Sequence, residues 1–320
     1  MKKSILLTII AIIGFIPIFS QNPYQVNAKT ENEKTEKKLT AEEKFVSDNF
    51  PFIHISDWQP GMEFMVEPDY LEVNNRLDLK PRKTSSYSDQ PLQKDYEWKT
   101  FELISIKNSS NKSYFTFQCG EEKFIHEAPA NLDDLRGFST YSYIKEFVYL
   151  KDIDKAKELL LGKQLYLLTE RWRKENGESG VFDYFQKFVP VTIVKIGLGQ
   201  NEGPVKMIFK TEDEKEYFLN VRFSGTNTFI YEKVFGIDFT DAFTFENPRD
   251  SYPEISDEMW NMIQNCKVKI GMTETEAELA WGKPKEINVG IYGSSSQDQW
   301  LYGTNSYLYF ENGKLSAIQN

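Results

Sequence analysis

Residues 268–320 constrain the fold more tightly than any other stretch of the chain. They contain Ile270-Gly271-Met272-Thr273-Glu274-Thr275-Glu276, then Trp281-Gly282-Lys283-Pro284, then Gln299-Trp300-Leu301-Tyr302-Gly303, and finally Tyr307-Leu308-Tyr309-Phe310-Glu311-Asn312-Gly313-Lys314-Leu315. Thr273 followed three residues later by Glu276 is a capping box, in which hydroxyl and carboxylate satisfy amides that a helix start leaves unpaired. The helix is expected to run to about Trp281, where Gly282 takes the left-handed exit and Pro284 prevents continuation. Two aromatic-rich segments then read as strands. Asn312-Gly313 between the last two strands is a strong hairpin signal, because both residues tolerate positive φ. A further helix is expected from about Ser256 to Gln264.

This series of pieces resembles the SmpA/OmlA domain of BamE-type outer-membrane assembly proteins, over about residues 255–320. The resemblance implies a two-helix, β-meander fold similar to β-lactamase-inhibitor proteins. Members of that family are usually lipoproteins, whereas the only cysteines here, Cys119 and Cys266, lie far from any lipobox. The resemblance therefore carries an expectation of fold and no functional residues.

At the other end, Lys2-Lys3 precede an apolar run from Ile5 to Phe19, the pattern of a cleaved export signal. Cleavage is expected after Ser20 or after Ala28, leaving a periplasmic or secreted protein that is not a lipoprotein. The run falls short of the ~20 residues that span a bilayer, so no transmembrane segment is expected after cleavage. Residues 1–20 hold two of the 38 basic residues and none of the 48 acidic ones, which takes the formal charge from −10 to −12. Such a chain repels phosphate backbones, and nucleic acid is not an expected partner. Lys80-Pro81-Arg82-Lys83, the one basic cluster, reads as a solvated loop.

Residues 21–50 read as a polar spacer and a short helix, with Thr40 and Glu43 as its capping box and Pro51 after its end. Beyond them lies a degenerate internal repeat. Trp58-x-x-Gly61-Met62-x-Phe64-x-Val66 is matched by Leu159-x-x-Gly162-Lys163-x-Leu165-x-Leu167. Phe101-x-Leu103 is matched by Val191-x-Ile193, and the hairpin through Gly120-Glu121 by the one through Glu212-Asp213-Glu214. Period-two alternation between short turns calls for half-buried antiparallel strands. The expected architecture is mainly β: small antiparallel barrel or sheet modules at 51–130 and 159–246, a helical connector at 131–158, and an α+β domain at 247–320.

Chemistry is sparse. Two histidines and two cysteines without a close pair do not make a zinc site, and no Asp-rich calcium loop is present. His54, in the apolar run Phe52-Ile53-His54-Ile55, reads as a structural hydrogen-bonding residue. Cys119 lies beside its turn, and His126 is about four residues down the returning strand, ~13 Å away at ~3.4 Å per residue. Two free thiols or a disulfide remain open for Cys119 and Cys266. Ser294-Ser295-Ser296 reads as linker. No nucleophile elbow, phosphate loop or His-Glu-x-x-His helix occurs. No enzyme activity, metal or cofactor is expected. Aromatic residues make up 15% of the chain, and Trp281, Trp300, Tyr302, Tyr307 and Tyr309 crowd into one small domain. They are the candidate interaction surface, for an envelope or extracellular protein partner, or alternatively for a glycan. A hydrolase or a hydrolase inhibitor is the third reading.

Overall fold

The computed structural model describes residues 38–67, 77, 79–81, 90–137, 144, 146–174, 183–200, 203–228, 237–292, 295–303 and 305–319. The expected export signal and most of the spacer lie outside the described residues. The architecture is mainly β, built from curled antiparallel sheets with a few helices.

The first sheet comprises β1 (Glu63–Val66), β2 (Lys80–Pro81), β3 (Thr100–Asn108), β4 (Ser113–Cys119), β5 (Glu122–Ala128) and, after the short helix α2 (Leu132–Leu135), β6 (Phe147–Tyr149). Its order is β2-β5-β4-β3-β1-β6. Helix α3 (Leu150–Leu160) leads into the second sheet: β7 (Gln164–Leu167), β8 (Arg171–Lys174), β9 (Asp183–Tyr184), β10 (Pro190–Gln200), β11 (Gly203–Lys210), β12 (Glu216–Arg222), β13 (Ile237–Asp238), the short helix α4 (Phe239–Ala242) and β14 (Phe243–Thr244). The order here is β14-β7-β10-β11-β12-β8-β9, with β13 parallel to β12.

Apart from β9 and β13, the two orders coincide strand for strand, and so do details. Gly61 N and Gly162 N, both at left-handed φ, donate to Leu103 O and Ile193 O at 2.7 and 2.8 Å. A bulge follows each acceptor, between Leu103 and Ser105 and between Ile193 and Lys195; such bulges sharpen local twist and curl the sheet. Val66 pairs with the buried Phe147, and Leu167 with the buried Phe243. Trp98 (φ 63°) and Phe188 (φ 59°) occupy one further matching place, each just before the long third strand. For a bulky aromatic this backbone costs about 1–3 kcal/mol.

Expectations about three segments need correction. Residues 147–149 were expected in a helical connector, but all three are buried and form an edge strand of the first sheet. Three residues are too short a run to show strand periodicity. Lys80-Pro81, expected in a loop, pairs with Ile125 and Phe124 as the other edge, while Arg82 and Lys83 lie outside the described residues. The helix α1 (Ala41–Asn49) has its capping box, Thr40 with Glu43. It is part of the second module: Phe45, Val46 and Phe50 pack into that core beside Phe239 and Phe243. Glu42 Oε1 accepts from Thr244 Oγ1 (2.9 Å) and Phe245 N (3.0 Å). A turn after β12 joins the modules: Asn227 donates to Phe147 O (2.6 Å) and accepts from Ile144 N (2.7 Å).

Candidate functional site

The C-terminal domain consists of helices α5 (Asp257–Gln264) and α6 (Glu274–Trp281) and the meander β15 (Glu286–Tyr292), β16 (Ser295–Leu301), β17 (Tyr307–Glu311), β18 (Lys314–Gln319). The Thr273 hydroxyl accepts from Glu276 N at 3.1 Å, and the Glu276 carboxylate accepts from Thr273 N at 2.7 Å. Gly282 ends α6 at φ 82°, and Asn312-Gly313 turn the final hairpin at φ 49° and 74°. Ser295 and Ser296, expected in a linker, open β16 opposite Tyr292 and Ile291; Ser294 lies outside the described residues.

Strand alternation divides the five aromatics. Trp300, Leu308, Phe310 and Leu315 point toward the helices and form the core with Trp260, Ile263, Ala277 and Ala280. Trp300 is only 4% exposed, its ring 4.6 Å from that of Phe310. It is therefore not part of an interaction surface, because the pleat turns every second residue of β16 inward. Trp281 and Tyr302 form a half-buried, edge-on pair at the end of α6, with centroids 5.2 Å apart. Trp281 Nε1 donates to Cys266 O (3.0 Å), Tyr302 Oη to Gly282 O (2.9 Å), and burial pushes the Tyr302 phenol up. This pair seals the helix exit.

Tyr307 and Tyr309 lie on the opposite face, stacked at 6.3 Å. Tyr309 belongs to a polar row that crosses all four strands. Asn288 Nδ2 donates to Gln299 Oε1 (3.2 Å), Gln299 Nε2 to Tyr309 Oη (3.1 Å), and Tyr309 Oη to Gln319 Oε1 (2.8 Å). The row's first three members follow the register, Asn288 opposite Gln299 and Gln299 opposite Tyr309, whereas Gln319 stands opposite Tyr307 and reaches Tyr309 on the diagonal. Asn288, Gln299 and Tyr309 line a shallow cleft of about 570 Å³ together with Asp298, Glu311 and Ser316. Asn288, Gln299 and Gln319 were not singled out from sequence. Isolated amides on alternating strands carry no signal until the register aligns them.

No protein-family model matches this chain, and no curated protein matches it either. The outward face of the meander is thus characterised by its geometry alone.

The remaining candidates have structural roles. His54 caps a single helical turn, its Nδ1 accepting from Ser56 N at 3.2 Å, and burial lowers its pKa. His126 stands opposite Phe115, four residues along the strand from the Cys119–Glu122 pair. Cys119 is buried and Cys266 partly buried; both are free thiols, and burial raises the pKa of each. Among the described residues, no three His, Cys, Asp or Glu side chains gather as a metal site, and no helix is long and apolar enough to cross a membrane.

Proposed function

We propose that this is an exported, non-enzymatic protein of the cell envelope that works by binding another protein through the outward face of its C-terminal meander. One observation carries the reading: the Tyr307–Tyr309 stack set beside a four-strand row of amides and phenol. Tyrosines of this kind supply broad contact area with few rotors to freeze, and they are enriched at interface centres. The amide row offers donors and acceptors already aligned, which lowers the ordering cost of association. The lysine pair and apolar run of residues 2–19 support export.

Crosslinked capture from intact cells tests it. Tyr307→Ala with Tyr309→Ala should abolish recovery of a defined partner while leaving the circular dichroism spectrum unchanged. Recovery undiminished by both substitutions refutes this surface.

The amide row also favours a second reading, a glycan ligand, because amides and a phenol match vicinal hydroxyls. Saturating titrations on an oligosaccharide array, lost in Gln299→Ala, would select it over the protein partner.

A further inference from the structure

The matching aromatics Trp98 and Phe188 have different fates, and the difference points outward. In the second module, the turn before β10 is where the C-terminal domain docks. Phe188 is 8% exposed and stacks on Trp260 of α5, with centroids 5.5 Å apart. Beside it, Lys187 donates its backbone N–H to Gln264 O (3.0 Å) and its Nζ to Ala280 O (2.8 Å). Leu168 completes the contact against the same core. Burial in the neighbouring domain offsets the strain of this left-handed backbone.

Trp98 repeats this arrangement in the first module. Its N–H donates to Val66 O (3.0 Å), as Phe188 N–H does to Leu167 O (2.5 Å). The indole is nevertheless 56% exposed, whereas Trp58, Trp172, Trp260 and Trp300 are buried and Trp281 is half-buried. Glycine is what such a backbone favours, and a bulky exposed aromatic is what it least favours.

We propose that the Trp98 turn is a docking knob for a separate protein, one that offers an apolar slot with a lysine or arginine beside it. Lys99, next to Trp98, turns its ammonium over the Tyr96 ring at 4.7 Å, so the acidic neighbours of Trp98 specify the charge. Where Lys187 and Leu168 stand in the second module, the first has Glu97 and Glu67. Lys187 faces the carbonyl end of α6, the negative end of the helix dipole. A carboxylate in that place repels such an end, so a C-terminal domain from a second copy is the wrong partner and a cationic rim the right one. The inference shares with the proposed function the premise that this chain acts by docking. It concerns a different surface, so variants at Tyr307 and Tyr309 test that reading and leave this one untouched.

The experiment uses the full chain, with a photoreactive benzophenone amino acid at position 98, in the cells that make it. The expected result is an adduct with one other protein, attached at an apolar segment that has lysine or arginine next to it. Glu97→Lys should cut the yield by about tenfold, and Tyr309→Ala should not change it. The purified chain with Trp98→Gly should melt no lower than the parent, since glycine relieves the backbone. Adducts only with a second copy, absence of an adduct, or a yield indifferent to Glu97→Lys would overturn the proposal. So would a melting temperature several degrees lower in Trp98→Gly, which would make Trp98 a structural residue.

Discussion

Lys187 Nζ donates to Ala280 O across 2.8 Å, pinning the second β-module to the carbonyl end of helix α6 in the next domain. The lysine is 6% exposed, and burial lowers its pKa. The helix terminus supplies the negative potential that keeps a buried ammonium tolerable. A depressed lysine pKa means that the folded state binds fewer protons than the unfolded one. This contribution therefore makes stability increase as pH rises between the lowered value and the ordinary lysine range.

Lys187→Glu reverses the attraction and buries a carboxylate against a carbonyl. A loss of about 3–5 kcal/mol is expected, as for other buried charges stripped of their partner. Calorimetry should then resolve the C-terminal domain melting apart from the β-modules. A single unshifted transition would show that the pin does not hold the domains together.

Asp152 gives a pH dependence of opposite sign. Its carboxylate is buried, with Oδ2 accepting from Ser224 Oγ (2.7 Å) and Ser224 N (3.1 Å). Burial nevertheless raises its pKa from 3.8 to about 6. Between those values the folded state binds more protons, so the Asp152 contribution falls as pH rises through that window and is flat above it. Asp152→Asn keeps an acceptor for Ser224 without the charge. It should stabilise the protein at pH 7 by ~1–2 kcal/mol and leave it little changed at pH 4, as read from urea melts at the two pH values. An equal effect at both would rule out ionisation as the cause.

Phe188→Ala should cost about 3–4 kcal/mol, because it empties a slot in the C-terminal core against Trp260. Thr273→Ala should cost ~1 kcal/mol by breaking the capping box of α6. The two losses belong in one series of denaturant melts. If Phe188→Ala cost no more than Thr273→Ala, the ring would not be a core element of the neighbouring domain.

Tyr309→Phe removes the phenol that joins Gln299 to Gln319. Stability should change by less than ~1 kcal/mol, since the row is open to water and each bond is replaceable. Partner recovery should fall severalfold, a difference that separates a binding row from a merely structural one. Quantitative capture beside the parent chain measures it.

Much of the local architecture is legible in the sequence. Thr40 with Glu43 and Thr273 with Glu276 close their capping boxes as their spacing requires. Gly61 and Gly162, matched positions of the repeat, both adopt positive φ. These are short-range features, decided by hydrogen bonds and backbone sterics within a few residues. Phe147–Tyr149 is not legible as a strand, because an edge strand of three buried residues looks like any apolar triplet until a neighbour pairs with it. The burial of Trp300 is not legible either, because an aromatic in a strand faces core or solvent according to one step of the pleat.

Sequence alone therefore determined which segments turn, cap and alternate, because those outcomes depend on residues close together along the chain. Tertiary structure decided which aromatics stay outside, which amides align and which charge meets which helix end. Those depend on register across strands and on domains meeting far apart in sequence. Trp98 and Phe188 make the point: the same left-handed turn buries one ring and exposes the other, because among the described residues only the second meets a neighbouring domain.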